Sequence, residues 1–142
     1  KWTIFHRWME NEVRSAFHYP LIGERWVEET NLYKIIQKIL PDYKLMKNYR
    51  PDWLDRLELD IFVPDIPLGI EYQGIQHYHP IKHWGGEEGL KKRKEHDERK
   101  FILAQKNNIP IVYFTYEDII TPELVYERIQ AYLNAKAVTN RR

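Results

Sequence analysis

Asp60, Glu71 and Gln73 are the residues whose types and spacing could do chemistry, within the stretch LELDIFVPDIPLGIEYQGIQH. Leu57 to Val63 has an apolar residue at every second position, the period of a strand. Leu57, Leu59, Ile61 and Val63 are expected on one face, opposite Glu58, Asp60 and Phe62. Pro64 to Pro67 makes a turn. Leu68, Ile70 and Tyr72 then face one way, and Glu71 and Gln73 the other. Facing carboxylates on such a hairpin would sit ~4.5–5.5 Å apart at Cβ, close enough to share one hard cation. An ion held there can acidify a bound water and clamp a phosphate.

Polar groups continue past the strand as Gln76 and His77, with Gly74 leaving room for a close backbone approach. Gln73 can hydrogen-bond a phosphate or a water but brings no charge. Further on, KKRKEHDERK (91–100) carries six basic and three acidic residues. That run predicts a solvated helix of alternating charge. Leu90, Arg93, Asp97, Lys100, Phe101 and Ala104 fall on one stripe of it, turned inward if Phe101 is. Lys91, Lys92, Arg93 and Lys94 are candidate DNA contacts, with His79, His83 and Trp84 in the preceding loop. Trp84 could stack on an unpaired base.

The elements that must position these groups are read as follows. ETNLYKIIQKIL is a helix with Leu32, Ile35, Ile36, Ile39 and Leu40 on one buried stripe, stopped by Pro41. Glu29 sits in its first turn, where acidic side chains suit the helix dipole, and Glu28 is equally placed by that argument. Lys44 to Tyr49 is a candidate first strand. A charged helix runs from about Glu87 to Asn107. IPIVYFTY reads as a fully apolar strand suited to the middle of a sheet. Thr121 caps a helix starting at Pro122, with Val125, Ile129, Tyr132 and Leu133 inside. The charged helix is long enough for a crossover, so the last strand joins parallel to a neighbour. The fold class expected is α/β, a mixed β-sheet flanked by helices.

At 142 residues the chain suits one main domain. Residues 1–22, with Trp2, Phe5, Trp8 and Met9 near helical spacing, read as a helical extension; 23–134 form the main domain and 135–142 a tail. Lacking an initiating methionine, the chain is expected to be one part of something larger. A hydrophobic fraction of 43% argues against a disordered segment. The absence of cysteine excludes disulfides and thiolate metal sites and fits a reducing, cytoplasmic setting. No apolar run is long enough to span a membrane. A net charge of +1 permits local DNA binding without demonstrating it.

Helix-Glu, strand-Asp and E-x-Q on the next strand resemble the PD-(D/E)XK nuclease superfamily, the restriction-endonuclease-like fold. IEYQGIQHY, HDERK and IPIVYFTYED are similar to its very-short-patch-repair-type branch, over roughly residues 23–118. The resemblance implies a DNA endonuclease in repair, mobile elements or phage defence that leaves 5′ phosphates. It implies Mg²⁺, replaceable by Mn²⁺, on Asp60, Glu71 and the Tyr72 main-chain carbonyl, with Glu29 acting through a second metal or bridging water. Gln73 stands where the superfamily usually has lysine, so Lys100 or His77 would take over part of the proton handling. Pro51-Asp52 and Pro64-Asp65 are decoys: the first lies in a loop and the second in the hairpin turn. A double-strand cut would need a homodimer or two nicks. The alternatives are a DNA-binding module with a degenerate site, and a zinc hydrolase using His77, His79, His83 and His96.

Overall fold

In the computed structural model the described residues are 25–140, together with Met9 and Glu12. The expected N-terminal helix, residues 1–22, therefore lies almost wholly outside them. Helix α1 (Arg25–Ile39) forms on the expected stripe: Leu32, Ile35, Ile36 and Leu40 are buried and Ile39 partly so. Strands β1 (Met46–Tyr49), β2 (Leu59–Val63) and β3 (Leu68–Gln73) run antiparallel in sequence, with a 3₁₀ turn at Asp52–Leu54. Helix α2 (Gly86–Lys106) then carries the chain across to β4 (Ile111–Thr115), which pairs parallel with β3. Helix α3 (Pro122–Asn140) closes the fold. The Thr121 hydroxyl accepts the Leu124 N–H at 3.2 Å, the expected cap. This helix runs on to Asn140, through most of the segment expected as a tail.

Two apolar clusters give three layers. On one face α1 and α3 pack against Ile61, Val63, Leu68, Ile70, Tyr72 and Phe114. On the other, Leu54, Leu59 and Phe62 meet Tyr49, Leu103, Ile109 and Ile111. Tyr49 stacks on Phe62 with centroids 4.3 Å apart and planes 5° from parallel. The coarse class is therefore as expected, a mixed α/β sheet flanked by helices. Among the described residues no helix is long and apolar enough to cross a membrane.

Three expectations change. Among the described residues the sheet order is β1-β2-β3-β4, which puts β4 at an edge and not in the middle. Its apolar residues serve two faces: Val112 and Phe114 meet α1 and α3, while Ile111 packs toward α2. Phe101 is 49% exposed. The inward stripe of α2 is instead Arg93, Asp97, Lys100 and Ala104, and only Leu103 and Ala104 among the helix's apolar residues pack well. Finally, strict alternation breaks at Asp60: Leu57 and Leu59 join Phe62, while Ile61 and Val63 face the other cluster. The β1–β2 register sets Asn48 against this point, and Asn48 has φ 51°, the left-handed region.

Candidate metal and phosphodiester site

The β2–β3 register pairs Ile61 with Ile70, so one residue further it sets Asp60 against Glu71. There the side chains take over the ladder. The Asp60 N–H donates to Glu71 Oε2 at 2.8 Å, and the Tyr72 N–H donates to Asp60 Oδ2 at 2.8 Å. Both carboxylates are buried, Asp60 to 2% and Glu71 to 4% exposure. The aspartates of the two PD dipeptides, Asp52 and Asp65, are exposed. Asp60 and Glu71 thus converge as expected, brought together by the hairpin register, but under a covered face and not on an open one.

Helix α2 supplies the counter-charge. Lys100 Nζ donates to the second oxygen of Glu71. Burial first, then the Asp60 carboxylate, raises Glu71 to about 8, with Lys100 opposing both. One helical turn earlier, Asp97 Oδ2 lies 2.7 Å from His77 Nδ1. A carboxylate accepts, so Nδ1 carries the hydrogen of this bond. Arg93 donates to the main-chain carbonyls of Gln76 at 2.7 Å and Trp84 at 3.0 Å. Arg99 bridges to Asp55. With so little apolar surface, α2 is docked largely through these charge-assisted bonds, each contributing about 1.5–3 kcal/mol where well buried. Site and helix therefore depend on one another.

The start of α2 is shaped to permit this. Gly85, with φ 86°, turns the chain into the helix. A Cβ on Gly89 would lie 2.1 Å from the Trp84 carbonyl oxygen, so only glycine lets the helix approach the loop there. A cleft of about 310 Å³ results, lined among others by Arg56, Gln76, His77, Trp84, Asp97 and Lys100. A larger groove of about 400 Å³ beside Phe101 and Ile109 is apolar and remote from these charges.

The other expected site residues divide. Glu29 is buried, on the helix face that carries Leu32 and Ile36, whereas Glu28 is half-exposed; burial separates two residues that sequence position left equal. Gln73 accepts from the Tyr78 hydroxyl. Lys91, Lys92 and Lys94 are exposed on α2, but Arg93 is turned inward as a brace. His79 Nε2 is 2.9 Å from the Tyr116 hydroxyl, and His83 packs edge-on against Trp84 at 5.5 Å. Among the described residues no group of three or more His, Asp or Glu side chains is arranged to hold a metal. The histidine-based zinc set is thus not assembled among them.

Tyr113 was not foreseen. It pairs with Glu71 across β3 and β4. Burial, then the Glu71 and Asp97 carboxylates, push its hydroxyl up to about 12. The alternation of Ile111, Tyr113 and Thr115 against Val112 and Phe114 carried that signal. Arg56 was also missed; it lines the cleft with φ 68°, following Asp55 at φ 50°.

The chain is similar to two viral proteins. It is 32% identical over 82 residues to "Uncharacterized protein 307L" of Invertebrate iridescent virus 6, covering 56% of this chain and 42% of that protein. It is 34% identical over 86 residues to "Uncharacterized protein 094L" of Frog virus 3 (isolate Goorha), covering 59% and 56%. The chain thus spans about half the length of the curated relatives it matches. No family model and no solved structure matches it.

Proposed function

We propose that this chain is a divalent-metal-dependent nuclease domain of the restriction-endonuclease-like kind, hydrolysing phosphodiester bonds of DNA. The observation that carries the reading is the buried Asp60–Glu71 pair, tied to the Asp60 and Tyr72 main-chain N–H groups and bonded through Glu71 to Lys100, which lines a cleft together with the His77–Asp97 dyad. Asp60, Glu71 and the Tyr72 carbonyl would hold Mg²⁺ or Mn²⁺. Bound there, the ion would acidify a water and offset charge on the phosphate.

The chain's own residues divide the remaining work. Asp97 fixes the His77 ring through Nδ1, and Nε2 would serve as proton acceptor. Lys100 offsets negative charge between Glu71 and the substrate phosphate. Gln73, on the face of β3 that carries Glu71, contributes amide N–H donors where charge is absent. Glu29, buried on α1, would act through a bridging water or a second ion. Lys91, Lys92 and Lys94 supply nonspecific phosphate contacts, and Trp84 at the cleft supplies a stacking face. We place the activity in the cytoplasm, in repair, mobile-element or phage-defence chemistry, with further domains or a second copy as partners.

Supercoiled plasmid incubated with the protein and Mg²⁺ should be nicked or linearised, and EDTA should prevent it. Gln73, in place of a cation, favours a second reading, a DNA-binding module whose site has lapsed. Retained DNA binding without cleavage, in Mg²⁺ and Mn²⁺ across pH 6 to 9, would select that reading.

A further inference from the structure

We infer that Tyr78 is a positioning residue for Gln73, and that this contact is what lets a neutral amide serve in the site; the inference rests on the nuclease reading above. Gln73 is fixed twice. Its main-chain carbonyl accepts the Tyr116 N–H at 3.0 Å, and its Oε1 accepts the Tyr78 hydroxyl. A glutamine amide presents an acceptor and a donor that exchange places on a half-turn of the last torsion. Only the donor end suits a phosphate oxygen, and the carbonyl end would repel it. Tyr78, by holding Oε1, leaves Nε2 to face the substrate.

The surroundings make Tyr78 suited to this. The 3₁₀ turn Ile75–His77 ends with the Tyr78 and His79 N–H groups both donating to the Ile75 carbonyl at 3.0 Å. The Tyr78 ring lies against Tyr116, centroids 5.6 Å apart, and Tyr116 is held in turn by His79. His79 thus belongs to the support of Gln73. Burial, followed by the Asp97 carboxylate, raises the Tyr78 hydroxyl above its ordinary range, so it remains a protonated donor wherever the site would work. A lysine at position 73 needs no such partner, because its ammonium donates in every rotamer.

The test is a double-mutant cycle on Mg²⁺-dependent plasmid cleavage. Tyr78→Phe keeps the ring and its tilted contact with Tyr116. It should lower kcat about tenfold to a hundredfold, the range for a lost orienting contact, with KM changed less than about twofold. In a Gln73→Lys background the same substitution should change kcat less than about twofold. Equal losses in both backgrounds would reduce Tyr78 to a structural role and overturn the inference, as would an unchanged kcat in the Tyr78→Phe enzyme. The Gln73 side-chain amide resonances give a reading independent of activity. They should shift and exchange faster with solvent in Tyr78→Phe, and unchanged resonances overturn the inference even if Gln73→Lys is inert. A wild-type protein that never cleaves would instead remove the nuclease reading, and this inference with it.

Discussion

The main-chain N–H of Asp60 donates to the side chain of Glu71 at 2.8 Å, where a ladder of backbone bonds would otherwise continue. Two strands are thus joined at this point through acidic side chains, which are ordinarily kept apart. Each carboxylate therefore has a structural duty that a variant must preserve before a chemical one can be tested.

For Asp60, Asn keeps an oxygen to accept the Tyr72 N–H and Ala does not. Asp60→Asn should lose cleavage by at least about a thousandfold while melting close to the wild type. Asp60→Ala should lose activity as completely and also about 1–3 kcal/mol of stability, from the orphaned donor. Plasmid assays paired with thermal melts distinguish the two effects.

Stability should depend on pH through Glu71. Between its ordinary value of 4.5 and about 8, the folded chain holds a proton that the unfolded chain has released. Stability contributed by that proton is present at low pH and falls as pH rises through this window. Glu71→Gln should flatten the decline and raise Tm relative to wild type at pH 8, read by melts from pH 5 to 9.

His77 and Asp97 should act as a unit. Substituting either, as His77→Asn or Asp97→Asn, should lower kcat about 10²–10⁴-fold. The double variant should be little worse than the poorer single one, since each residue needs the other. Multiplying losses would show that the 2.7 Å contact is not functional.

Docking of α2 is open to test without activity. Gly89→Ala puts a methyl group 2.1 Å from the Trp84 carbonyl, and Arg93→Ala removes two bonds to main-chain oxygens. Each should cost about 2–4 kcal/mol in denaturant unfolding. Lys91→Ala, by contrast, should leave stability within about 0.5 kcal/mol and reduce the salt dependence of DNA binding, by about 0.9 in log–log slope if it contacts one phosphate.

Much of this was legible in the sequence because it follows local periodicity. The α1 stripe, the hairpin around Pro64–Pro67 and the Thr121 cap all arise from residues within a few positions of one another. The Asp60–Glu71 pairing followed from the hairpin register. What the sequence concealed depends on distant partners. Phe101 and Leu103 are neighbours on a charged helix, and which of them packs is decided by Arg93, Asp97 and Lys100 finding partners on β3 and its following loop. The edge position of β4 depends on the strand order, which its apolar composition alone could not reveal. Tyr78 and Tyr113 look like ordinary aromatics until Gln73 and Glu71 are seen beside them.

Titration of Mn²⁺ into the wild-type protein, followed by calorimetry, asks directly whether positions 60 and 71 form a cation seat. The account predicts saturable binding that releases protons at pH 7 and is lost in Asp60→Asn and in Glu71→Gln. Binding of equal strength in those two variants, or none in the wild type, would contradict it.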